Sequence, residues 1–543
     1  MLKKISFLGL IVFVIISCST DKKISADLLV YNAKAYLVDP SFSTAEAFAI
    51  KEGKFLEVGT AEALQEKYDF KEKVDAEGKT IVPGFIDGHA HFYRMGLQQQ
   101  KVELAGTKSF DEVLDRIVAF QKERNVDFIT GRGWDQNDWE IKEFPSKEKL
   151  DSLFPDTPVS ITRIDGHALL VNQAALDKAG ITVNTNAEGG AIEVKNGQLT
   201  GILIDNPMDL ITAAQEAPSK KEQIDALLEA QKICFDYGLT TVVDSGIDKS
   251  TIDLMDSLNK SGDLKIRIYA MISNTPENLD YYLGKDPYKT DQLNVRSVKF
   301  YGDGALGSRG AALKEPYSDK ANHYGALLSS VEDFKETANR IAASKYQMNT
   351  HAIGDSANRV VLQTYDELLK GDKDRRWRVE HAQVVDSADF KYFSKNIIPS
   401  VQPTHATSDM YWAEDRLGPD RIQGAYAFKK LLDQAGIVAL GTDFPVEEVS
   451  PFYTFYAAVA RKDLQNYPEG GYKMDQALSR EETLKGMTVW AAYANFEEKE
   501  KGSIEADKFA DFIILDKNIM EVNEDEIPNI KVLHTYVNGE KVY

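Results

Sequence analysis

Cysteine is nearly absent: the 543-residue chain has only Cys18 and Cys234. A fold of this length cannot be stapled by two thiols and must rest on a large apolar core, which so long a chain can bury. Cys234, in KICFDYGL near a helix end, reads as buried packing. Cationic side chains are in deficit, 64 Lys and Arg against 85 Asp and Glu, for a net charge of −21. That charge repels a phosphate backbone and argues against nucleic acid as a partner. No repeat of fixed period is present, which argues against a solenoid or propeller. No G-x-S-x-G turn occurs, which disfavours a serine hydrolase of that design. Histidine is scarce as well, at eight residues.

What is present begins at the N-terminus. MLKKISFLGLIVFVIISC carries two lysines, an apolar stretch too short to span a bilayer comfortably, and a small residue before a cysteine. Ile-Ile-Ser-Cys resembles a bacterial lipobox. This predicts a signal peptide over 1–17, a lipidated Cys18 and a tether over 18–25, hence an exported lipoprotein of the bacterial cell envelope, membrane-bound through that lipid. An uncleaved anchor is the alternative reading. With Cys18 so used, no intrachain disulfide remains.

Residues 26–80 and 500–543 are β-rich at both ends of the chain, which predicts one β-sandwich composed from both termini. The middle, 81–499, alternates strand-like runs with helical or loop segments. After IVPGFIDGHAH at 81–91 come runs at 238–244, 264–272, 295–301, 346–353, 376–382, 396–402 and 436–443. Eight strands in βα alternation predict an α/β fold, a TIM-like (β/α)8 barrel. Residues from about 100 to 230 are too long for one βα connection and hold strand-like pieces of their own. They predict an inserted subdomain on the catalytic face.

Side chains two apart on a strand point the same way, so His89 and His91 project together from the end of the first strand. Taken alone, such a pair suits ordinary hydrogen-bonded histidines equally well. Other strand tips add to it: His351 in NTHAIGD, His381 in RVEHAQ and Asp443 in GTDFPV, with Lys299 inside VRSVKFY. Neutral imidazoles and a carboxylate are ligands for a divalent ion, with zinc the expectation. Lys299 should face the barrel interior, with Val298 and Phe300 toward the helices. A buried neutral amine can take up CO2 as a carbamate (a carboxylated lysine) whose two oxygens bridge two metals. The alternative is an ordinary ion pair with Asp303.

Other residues carry weaker readings. GDGALG at 302–307 matches a dinucleotide fingerprint, but SRGAALKEP rather than a helix follows it. It reads better as a substrate loop with Arg309 as a contact. Trp134 and Asp135, in the insertion, could shape the pocket or be core and turn residues.

The longer phrases PGFIDGHAH, GRGWDQ, RIDGHALLVNQAAL, KFYGDGALGSRGA, NTHAIGD, RVEHAQ, QPTHATSDMYWAEDRLGP and GTDFPVE resemble the amidohydrolase superfamily. Within it they are similar to amidohydrolase family 3, the branch of N-substituted formamide deformylase-like proteins. The resemblance covers nearly the whole chain after the signal. It implies a hydrolase of non-peptide C–N bonds that uses a metal-activated water on a small linear amide, an N-acyl or N-formyl compound. It implies that His89, His91 and Asp443 hold one metal, that His351 and His381 hold a second with Lys299 bridging, and that Asp443 shuttles the proton. It also makes His167 and His405 pocket residues, although a structural role suits each as well. The alternatives are a one-metal aminohydrolase or cyclic amide hydrolase, with Lys299 an ordinary cation, and a surface binding lipoprotein with a degenerate site. A homo-oligomer is left open.

Overall fold

A computed structural model describes residues 23–163, 168–186, 190–205, 207–215, 217–307, 309–371 and 374–543. Cys18, the predicted signal peptide and His167 lie outside the described residues.

Eight parallel strands run in chain order around a nearly closed barrel: Phe85–Ala90, Leu239–Ile247, Arg267–Ser273, Leu293–Tyr301, Gln347–Ala352, Trp377–His381, Ile397–Val401 and Ala439–Leu440. The eighth is shorter than the run at 436–443 predicts. Beyond Leu440 the chain leaves the ladder: the Thr442 amide and hydroxyl both go to the Asp87 carboxylate. Asp443 N donates to His89 O at 2.8 Å and His91 N to Phe444 O at 2.8 Å, which draws the last and first strands together. Gly88 and Gly441 permit this approach; a Cβ at Gly88 would sit 2.6 Å from Leu440 O, and one at Gly441 would sit 2.4 Å from His89 N.

Helices cover the barrel. Val331–Ala342, capped by Ser330, and Asp355–Leu368 bury Phe334, Ile341, Val361, Leu362 and Tyr365. The helix Lys220–Asp236 starts on a capping box of Ser219 and Glu222 and delivers the chain to the second strand. Cys234 lies on its inner face, fully buried, and burial pushes its thiol well up from the usual range, away from nucleophilic use.

Two further sheets come from both ends of the chain. One orders Lys54–Gly59, Ala47–Lys51, Ile24–Tyr31 and Tyr68–Asp75; the other sets Thr80–Pro83 antiparallel to Phe512–Leu515. Phe48, Phe55, Phe512 and Tyr536 fill the space between them, with Phe512 and Tyr536 stacked at 4.3 Å. One segment of this β-rich region is helical, Ala61–Lys67, started by the Thr60 side chain accepting from Ala63 N. The buried ion pair Arg267–Asp511, 2.6 Å, fastens the third barrel strand to these sheets.

Between the first and second barrel strands lies a six-stranded sheet spanning Val102–Glu103 through Gln198–Asp205 in the chain. The helix Phe110–Arg124 packs Val113, Leu114 and Ile117 into a core shared with Trp134 and Trp139.

Candidate metal centre

Strand alternation and the barrel's closure bring seven side chains to one end: His89, His91, Lys299, His351, His381, Asp443 and, from the short helix after the seventh strand, His405. Asp443 Oδ1 lies 3.3 Å from His91 Nε2 and 3.7 Å from His89 Nε2, while Oδ2 lies 3.7 Å from His405 Nε2. Lys299 Nζ is 3.1 Å from His89 Nε2. The His381 ring stands 5.0 Å from that of His89 and 4.5 Å from that of His351, and stacks on His405 at 5.9 Å. Donor atoms of His89, His381 and Asp443 all lie within 4.8 Å of one another, a spacing that one ion can bridge.

The outer nitrogens explain how these rings are aimed. His89 Nδ1 meets the Glu380 carboxylate, His91 Nδ1 meets Ser245 O at 3.0 Å, and His381 Nδ1 meets Gln402 Oε1 at 2.8 Å. Each partner is an acceptor, so each Nδ1 carries the proton and each Nε2 presents its lone pair inward. Glu380 is itself ion-paired to buried Arg378 at 2.7 Å. Burial works to raise the Glu380 carboxyl, but Arg378 and His89 outweigh it and bring it down to about 2. Backbone strain adds to the aim: His381 and Asp443 sit at φ of 71° and 64°, in the left-handed region that non-glycine residues enter only where their surroundings enforce it.

The electrostatics favour a cation. His351 Nε2, His405 Nε2 and Asp443 Oδ1 are buried and lack a hydrogen-bond partner among the described residues. Buried polar atoms left so are costly, and imidazole nitrogen and carboxylate oxygen are both donors that a divalent ion takes. Burial, then the Lys299 charge, lowers His89 to about 4 and His351 to about 3. Asp443 is held well below the usual carboxylate range; burial opposes this, but His91, His89 and His381 outweigh it. His89, His351 and Asp443 are therefore already deprotonated near neutral pH, as ligands of a divalent metal must be.

Lys299 is buried at 1% exposure, and burial takes its ammonium down to about 8 against the pull of Glu380 and Asp443. The ion pair with Asp303 does not form. The Asp303 carboxylate instead accepts from the amides of Ala312, Ile353 and Gly354, tying the loop after the fourth strand to the end of the fifth.

The remaining candidates fall elsewhere. Trp134 is fully buried in the insertion's core with Nε1 donating to Ile161 O, and Asp135 pairs with Arg163 at 2.6 Å. Arg309 is held by Asp319 at 2.7 Å, near its own loop. Glu380, Arg378 and Gln402 are the site residues that reading strand tips overlooks. The period-two pattern Arg378, Glu380 inside RWRVEHA was the available clue, since it places two charges inside a barrel.

Acid should weaken the metal-free protein. His89 and His351 have folded pKa values below the 6.5 of an unfolded chain, so below about pH 6.5 the unfolded state binds more protons. The stability they confer is intact above that pH and is lost as the pH falls toward 4, at about 1.4 kcal/mol per histidine per pH unit. Thermal midpoints of chelator-treated protein across this window should fall steadily; a flat profile would contradict the neutral, buried assignment.

Comparison with known proteins agrees with this geometry. The family model described as "Amidohydrolase family" matches residues 72–543. The chain is 33% identical to Protein LONG AFTER FAR-RED 3 of Arabidopsis thaliana, over 96% of this chain and 92% of that protein. It is 31% identical to the putative amidohydrolase YtcJ of Bacillus subtilis, over 92% and 96%. It is 25% identical to the N-substituted formamide deformylase of Arthrobacter pascens, over 94% and 97%. Among solved structures it is similar to an uncharacterized metal-dependent hydrolase from Pyrococcus horikoshii, with a TM-score of 0.76 and 26% identity over 92% of this chain and 99% of that one.

Proposed function

The chain belongs to the amidohydrolase family, and we propose that it hydrolyses the C–N bond of a small linear amide, an N-acyl or N-formyl compound. One observation carries the metal-dependent part: His89, His91 and His381 have Nδ1 engaged by acceptors, the Nε2 atoms of His89 and His91 lie within 3.7 Å of Asp443 Oδ1, and His381 shares a donor cluster with His89 and Asp443. The similarity to a formamide deformylase supports the linear amide.

His89, His91 and Asp443 would hold one divalent ion, zinc being the expectation, and His351 and His381 a second, with Lys299 as a carbamate contributing oxygens to both. Metal bound there supplies Lewis acidity toward the amide carbonyl and makes water nucleophilic near neutral pH. Asp443 takes a proton from the attacking water at a carboxylate oxygen and returns it to the departing amide nitrogen, so that water and amide become acid and amine. His405, 3.7 Å from Asp443 Oδ2, flanks that oxygen. Glu380 and Gln402 hold the imidazoles of His89 and His381 in the ligating tautomer.

The test is turnover by zinc-loaded protein across a panel of N-formyl and N-acyl amides beside ring deamination substrates. Release of acid and amine from linear members is expected. Ammonia release from ring substrates alone would favour the one-metal aminohydrolase. Glu380→Gln removes the charge behind His89 and should weaken metal binding about 10- to 100-fold, measured by chelator competition; unchanged affinity would remove Glu380 from the account.

We also propose that the precursor is cut before Cys18 and anchored there by lipid, in the cell envelope. The lipobox-like Ile-Ile-Ser-Cys supports this. Cys18→Ser should shift the protein to the soluble fraction or leave the precursor unprocessed. Normal processing and membrane retention of that variant would sink the idea.

A further inference from the structure

Tyr301 stands two residues beyond Lys299 on the fourth barrel strand and so shares its inward face. Its ring centroid is 5.1 Å from Lys299 Nζ and 5.9 Å from the His351 ring. The two differ sharply in exposure: Tyr301 is 45% exposed, while Lys299 is 1% exposed. On the far side lies Gly246 of the second strand, at a φ of 81°. A Cβ built there would come 3.2 Å from Tyr301 Oη and 3.8 Å from Lys299 Cγ. The glycine thus makes room where the phenol and the lysine stem lie side by side. The tyrosine ring, 5.1 Å from Nζ, reaches from the fourth strand toward Gly246 of the second and sets a partly exposed side chain against a buried amine.

We propose that Tyr301 is the cover that retains the carbamate on Lys299, an inference that rests on the carbamate reading given above. In forming that group, the Nζ lone pair bonds to the carbon of CO2, one C–O π bond opens to an oxygen anion, and one Nζ proton leaves to solvent. Loss is the reverse and needs a proton returned to the nitrogen, which water supplies. A ring that keeps water from Nζ slows that return, and the contact uses the face of the ring rather than its hydroxyl. Tyr301 is therefore a positioning and shielding residue, and phenylalanine should serve as well.

The test is exchange of label on the metal-loaded full chain. Protein equilibrated with 13C-bicarbonate is moved into unlabelled bicarbonate, and the carbamate carbon resonance is followed by NMR, with metal content measured alongside. Tyr301→Ala, at a half-exposed position that hollows no core, should exchange about tenfold or more faster than the parent as water reaches the nitrogen. Tyr301→Phe should exchange at the parent rate. An alanine variant exchanging at the parent rate, or a phenylalanine variant as fast as alanine, would overturn the proposal. Absence of any carbamate resonance in the parent protein would instead overturn the reading of Lys299 on which it rests.

Discussion

Lys299→Ala is expected to lose bound metal and amide hydrolysis together. The amine is buried, pushed down to about 8 chiefly by burial, and forms no ion pair among the described residues with the nearby Asp303. Its Nζ lies 3.1 Å from His89 Nε2, a proposed ligand atom. A structural lysine in that place would be replaceable at the cost of some packing. A carbamate would not be, because its two oxygens would serve as ligands for the metal held there. The variant leaves room for a small carboxylate from solution. Formate, acetate or propionate should therefore restore part of both metal content and rate. Lys299→Arg should not be rescued, since a guanidinium stays charged and cannot form the carbamate. A Lys299→Ala protein that keeps two metals and normal turnover without added carboxylate would move the enzyme to the one-metal alternative.

Asp443→Asn separates ligation from proton transfer. The amide oxygen can still sit where Oδ1 now lies, near His91 and His89, and the paired backbone bonds between Asp443, His89, His91 and Phe444 are untouched. The amide cannot take a proton from water and pass it on. Metal content should fall little, while kcat should drop about 10²- to 10⁴-fold, the usual worth of a general acid–base group. The KM should change far less. A variant near the parental kcat would show that the proton moves elsewhere.

The residues these predictions use were legible in the sequence because barrel geometry is periodic. An inward position recurs every second residue, and functional side chains gather at C-terminal strand ends, so His89, His91, Lys299, His351, His381 and Asp443 could be placed from strand order. The acceptors behind the histidines were less so. Ser245 acts through its carbonyl, which has no side-chain signature, and Gln402 comes from a different strand end than the His381 it orients. Glu380 sits beside His381 in the chain, yet it serves His89, 291 positions away, a pairing visible only once the barrel closes. The eighth strand was overestimated because Thr442 spends its hydrogen bonds on the buried Asp87. Trp134 could be assigned to core or pocket only from its neighbours, Trp139 and Phe144.

The most direct test of metal-dependent amide hydrolysis is the turnover of one linear amide substrate by protein stripped with chelator, verified metal-free, and then reloaded with zinc. The ligand geometry predicts that turnover disappears with the metal and returns when it is restored. Hydrolysis at the original rate by the verified metal-free protein would contradict it.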